Sequence, residues 1–169
     1  MKRRIRVSLT KRNVSAVAEF QEALAPRVCE MVWAALPCEG PAFHAKRSNN
    51  EIYTLTLPLA PHEPGLENAT IFPMPGDIAY FHLPPVKVVN YVRALREYLP
   101  EDINRLGPET GLSDLGIFYG RNNFLFGPLG PGPGSVFATV AEGLAEIAKA
   151  CNDVWYFGAA GERLRFERL

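Results

Sequence analysis

Proline and glycine cut this chain into short lengths, and that punctuation constrains its fold more than any other feature. Fifteen prolines and fourteen glycines are spread through 169 residues. Breaks at that density leave little room for long helices, whereas short strands tolerate a turn every few residues. Between the breaks, apolar and polar residues alternate. Ile5, Val7 and Leu9 flank Arg6 and Ser8; Tyr53, Leu55 and Leu57 flank Thr54 and Thr56; Leu164 and Phe166 sit among Arg163, Arg165 and Glu167. A period of two puts each set on its own face of a strand. The pattern predicts an opening hairpin that turns at Lys11, Arg12 and Asn13 and returns through 14–20. Further strands are expected over 42–47, 51–57, 77–82, 115–119, 123–126, 135–140, 154–157 and 162–168.

Three segments have a different period. Val28, Met31, Val32, Ala35 and Leu36 fall on one helical face, with Pro26 in the first turn, where its missing N–H costs nothing. Leu144, Ile147, Ala148 and Cys151 repeat the spacing. Val88, Val92, Leu95 and Leu99 mark a third helix, 86–99, whose apolar arc widens to include Val89, Tyr91 and Tyr98. This third helix belongs to an insertion, about 83–114, in an otherwise β-rich pattern. Two helices against about eight antiparallel strands predict a mainly β fold, a closed antiparallel barrel capped by the helices. Residues 1–169 are read as one domain.

Composition removes several function classes. Eighteen basic and eighteen acidic residues cancel, so bulk charge gives no reason to expect a nucleic-acid partner. No apolar run approaches a membrane span, and the basic N-terminus lacks the apolar core of a signal peptide. A cytoplasmic location is expected, with Cys29, Cys38 and Cys151 as reduced thiols. His44, His62 and His82 have no ligand-type spacing, so neither metal nor cofactor is expected. The glycine-rich run 126–135 is no phosphate loop. Pro128, Pro131 and Pro133 remove donors, and no lysine follows.

Several segments, taken in order, resemble cyclophilins. They are APRVCEMVWAAL at 25–36, the Phe43-His44 pair, MPGDIAYF at 74–81, GIFYG at 116–120 and SVFATVAEGLAEIAKA at 135–150. LENATIFPMPG at 66–76, PGDIAYF and IFYG also resemble small bacterial and archaeal proteins of cyclophilin-like fold with no assigned function. The resemblance implies the barrel and, for cyclophilins proper, proline isomerisation. That reaction needs a donor at the twisting amide. In cyclophilins an arginine follows the Phe-His pair, but Ala45 stands here, leaving Arg47, two residues on, as a replacement donor. Gly116 and Ile117 also precede Phe118, where cyclophilins carry a glutamine.

The reading that follows is a non-catalytic binding module with a modified groove for a small ligand or peptide. His44, Arg47, Tyr53, Glu67, Asn68, Tyr80, Phe118, Tyr119 and Arg121 are its candidate lining residues. One alternative is a peptidyl-prolyl isomerase using Arg47. The other is a self-associating subunit, a homo-oligomer joined through the 86–99 helix.

Overall fold

The computed structural model describes residues 2–127 and 130–169. Pro128 and the side chains of Asn90 and Tyr91 lie outside the described residues, and with them Tyr91's expected place on the apolar arc. In chain order the elements begin with β1 (Arg4–Leu9), β2 (Val14–Phe20), α1 (Pro26–Ala35), β3 (Cys38–Pro41), β4 (Phe43–His44) and β5 (Glu51–Thr56). There follow β6 (Ala69–Thr70), β7 (Asp77–Leu83), α2 (Pro85–Leu95), α3 (Glu101–Thr110) and β8 (Leu112–Phe118). The chain ends with β9 (Phe126–Gly127), β10 (Gly130–Pro131), β11 (Gly134–Glu142), α4 (Leu144–Phe157) and β12 (Arg163–Arg168).

Among the described residues, one antiparallel sheet of ten strands runs β3-β12-β1-β2-β11-β7-β8-β5-β4, with β6 joined to β11. The opening hairpin sets Val7 opposite Ala16, and β12 sets Phe166 opposite Val7 on the other side. The even spacing of Ile5, Val7 and Leu9 therefore delivers all three to one buried face. There they meet Phe20, Ile52, Ile78, Ile117, Phe137 and Phe166. Val28 and Val32 of α1 and Ile147, Cys151 and Val154 of α4 enter the same core. Each large side chain buried there contributes about 1.5–3 kcal/mol, which is what holds helices too short to persist alone.

The other face of β5 and β8 is covered as well. Leu55 and Leu112 pack against Val88 and Val92 of α2 and Leu99 and Ile103 of α3. This explains why β5 and β8 carry few solvent-facing positions. It also uses most of the stripe that the sequence read as free for another subunit, while Val86, Val89 and Tyr98 stay exposed.

A closed barrel is not what the hydrogen bonds show. The sheet ends at β3 and β4, and no described pairing joins them. Instead β3 comes up against β5, where Gly40 abuts the Thr54 side chain and the Leu55 carbonyl; a side chain at 40 would collide with the Thr54 hydroxyl and crowd the Leu55 carbonyl. Glycine there permits a backbone approach that a Cβ would block.

Other expectations are corrected. Residues 154–157, read as a strand, continue α4, because Val154 lies three residues beyond Cys151 on the same buried face. The expected strand 42–47 is only Phe43 and His44, and the chain bends from 46 to 50. Residues 123–125 are loop, and strand resumes at Phe126. The single helix 86–99 is α2, which stops at Leu95, followed by the separate helix α3.

One buried carboxylate fastens the last turn. Glu162 is fully enclosed, yet it accepts hydrogen bonds from the backbone N–H groups of Lys11 (2.7 Å), Arg12 (3.1 Å) and Arg163 (2.9 Å). The Arg12 guanidinium adds a fourth at 3.0 Å. Burial pushes its pKa up, but these donors outweigh it and hold the carboxyl below its usual value.

Candidate functional site

Strand β7 presents Tyr80 and His82 two residues apart, so both side chains leave the same face. The proline-rich segment after β5 brings Glu63 across to them. Tyr80 Oη donates to Glu63 Oε2 at 2.7 Å, and His82 Nδ1 lies 3.1 Å from the same oxygen. Burial first, then the bond to Glu63, pushes the Tyr80 phenol well up, so it stays protonated and donates. These three residues form one wall of an open cleft of about 470 Å³, completed by Leu57, Pro58, Ala60, Pro61 and Thr110. Its size and its mix of apolar surface with a few converging polar groups are those of small-molecule sites.

The nine residues nominated from the sequence do not share one groove. Tyr80 lines the cleft. His44 and Tyr119 meet elsewhere, with Tyr119 Oη 2.6 Å from His44 Nε2. His44 Nδ1 lies 2.8 Å from the Ala45 carbonyl, a pure acceptor, so Nδ1 carries the proton and Nε2 accepts from the tyrosine. Burial lowers the His44 pKa and raises that of Tyr119 to about 12, so both stay neutral. Trp155 lies against the imidazole, ring centroids 4.8 Å apart.

Glu67 and Asn68 stitch the fold. Glu67 accepts from the Val28 N–H at 2.9 Å in the first turn of α1, where Ala25 at the N-cap offers no side-chain acceptor. Asn68 donates to the Val136 carbonyl at 2.9 Å. Tyr53 packs on Phe43, Phe118 is fully buried, and Arg47 and Arg121 are exposed. Arg47 lies beyond the end of β4, so no strand alternation aligns it with Ala45.

Glu63 and His82 are polar cleft residues that sequence reasoning did not nominate. Glu63 stands 17 and 19 positions from its partners, inside a loop with no periodicity. The available signal was Tyr80 and His82 at i and i+2 on a strand, with a lone carboxylate among prolines before it.

A second pair of acids lies on the opposite face of the sheet. Glu51 is 4% exposed, and its Oε1 sits where a Cβ on Gly116 would be only 2.6 Å away. Asp114, on the same face of β8, has a buried Oδ1 with no hydrogen-bond partner. Burial raises Glu51 to about 7 against a partial offset from Ser48, and burial plus the charge of Glu51 raises Asp114 well above its usual value.

These features define a class: an antiparallel β protein whose curled sheet carries helices on both faces and opens a cleft at the end of β7. The chain belongs to the family described as Protein of unknown function (DUF3830), whose model matches residues 7–166. Comparison with curated proteins gives no match. Among solved structures, the chain is similar to McbB, solved in complex with tryptophan, at 14% identity and a TM-score of 0.57. That match covers 97% of this chain but 44% of McbB, so the chain spans less than half of McbB's length. It is also similar to the hypothetical protein AF2241 from Archaeoglobus fulgidus, at 19% identity and a TM-score of 0.50, covering 99% and 95% of the two chains. At these identities the likeness is one of fold. The likeness to cyclophilins rests on the sequence motifs alone. No described helix is long and apolar enough to cross a membrane.

Proposed function

We propose that this chain is a non-catalytic binding module for a small molecule, held in the cleft beside Tyr80, Glu63 and His82. The observation that carries the reading is the convergence of a buried phenol and an imidazole on one carboxylate at the wall of an open, mostly apolar cleft. Preset hydrogen bonds there orient a ligand without ordering new side chains on binding. Proline isomerisation has less support, because Arg47 is exposed and outside the strand that would aim it.

Thermal shift against amino acids, amines, nucleosides and organic acids tests the reading. Tryptophan heads the amino acids, since McbB was solved with it. At least one class raises Tm, and the rise disappears in Ala60→Phe, which fills the cleft. Silence across all classes, or a shift that survives Ala60→Phe, overturns the reading.

Self-association is a second reading, favoured by Val86, Val89 and Tyr98, which stay exposed beside the buried stripe of α2 and α3. Light scattering at high concentration checks it: a dimer that Val86→Glu dissolves supports it, and a monomer removes it.

A further inference from the structure

Resting on the cleft reading, we infer that its ligand is a cation, an ammonium carried on a short apolar body. Glu63 spends Oε2 on both Tyr80 and His82, while Oε1 has no partner among the described residues. His82 turns Nδ1 toward the same Glu63 oxygen, so both of these side chains are directed at Oε2 and neither at Oε1. The unused Oε1 of Glu63 accepts hydrogen bonds, and the ligand has to bring the donor.

Charge points the same way. Among the described lining residues there is no lysine or arginine, and Glu63 is the one acid. Helix α3 also ends beside the cleft at Thr110, and a helix C-terminus carries a partial negative charge that favours cations. An ammonium answers both features with three donors and a positive charge, whereas a carboxylate would face Glu63 with like charge. Leu57, Pro58, Ala60 and Pro61 make the remaining surface apolar, which suits a short apolar body beside the charge.

Calorimetry with three probes sharing one body tests this directly: 3-phenylpropylamine, 3-phenylpropanol and 3-phenylpropionate. The amine binds at least about tenfold tighter than the alcohol, and the carboxylate binds weakest. Glu63→Gln keeps the size and an acceptor for Tyr80, and it removes the amine's advantage over the alcohol. If the alcohol or the carboxylate matches the amine in the unmodified chain, the cation inference falls and the cleft reading stands. If none of the three binds, the cation inference falls, and the cleft reading is then judged by the wider panel. The comparison of probes on the unmodified chain holds even if the variant fails to fold.

Discussion

Glu162 and Glu51 are both buried, and their surroundings treat them in opposite ways. Glu162 sits in a ring of three backbone N–H groups and an arginine, and the fold keeps it charged. Glu51 lies against Gly116 and shares its face with Asp114, another acid, and the fold pushes it toward the neutral form. Burial raises the pKa of each, so burial does not separate them. The donors do. A carboxylate withdrawn from water stabilises a fold only where hydrogen bonds replace the ones it gave up.

The largest test of this contrast removes Glu162. Glu162→Ala strands three donors and Arg12, and it lowers stability by about 3 kcal/mol, read from urea unfolding at pH 7. A loss under ~1 kcal/mol would mean that water replaces the carboxylate and the contrast is false. The pH dependence has a definite sign. Because the folded pKa of Glu162 is depressed, its contribution is present above the ordinary carboxylate range and fades as the pH falls below it.

Glu51 runs the other way. Its folded pKa, about 7, exceeds its ordinary 4.5, so the folded state holds the extra proton between those values. Stability from this group therefore declines as pH rises through that window. Glu51→Gln flattens the decline and stabilises the chain by about 2 kcal/mol at pH 8, measured by the same unfolding series. An unchanged pH slope in the variant would show that Glu51 is paired after all. The smallest effect belongs to Gly116→Ala, which costs about 1 kcal/mol by crowding Glu51 Oε1. That cost shrinks in a Glu51→Ala background, and strict additivity of the two substitutions would place the carboxylate elsewhere.

The strands that build the core were legible because one face had to be apolar throughout. The alternation of Ile5, Val7 and Leu9 and that of Leu164 and Phe166 correspond to observed strands with the expected faces buried. Helix α1 was legible for the same reason at its own period. Failures came where a residue answers to a distant neighbour. Gly40 sits in the break after α1, and it is Thr54, distant in sequence, that requires a glycine there. Gly107 and Pro108 read as breakers, yet both lie within α3, where Gly107 admits Leu112. Trp155, Tyr156 and Phe157 look like strand residues, though Gly158, where the helix ends, marks the stop that was available. The candidate site was less legible than the fold. Tyr80 could be nominated from its strand, but Glu63 reaches it only through a loop path that no local spacing encodes.

The unjoined edges of the sheet bear on that cleft. In a sealed cylinder, strand number and stagger fix the girth, and it changes only in whole steps. Here β3 meets β5 by packing at Gly40, with no described ladder between them. Leu57 follows β5 directly and stands on the cleft's rim. On its β3 side, β5 is thus held by packing rather than by a shared ladder, and the segment that opens the cleft wall starts from that packed seam.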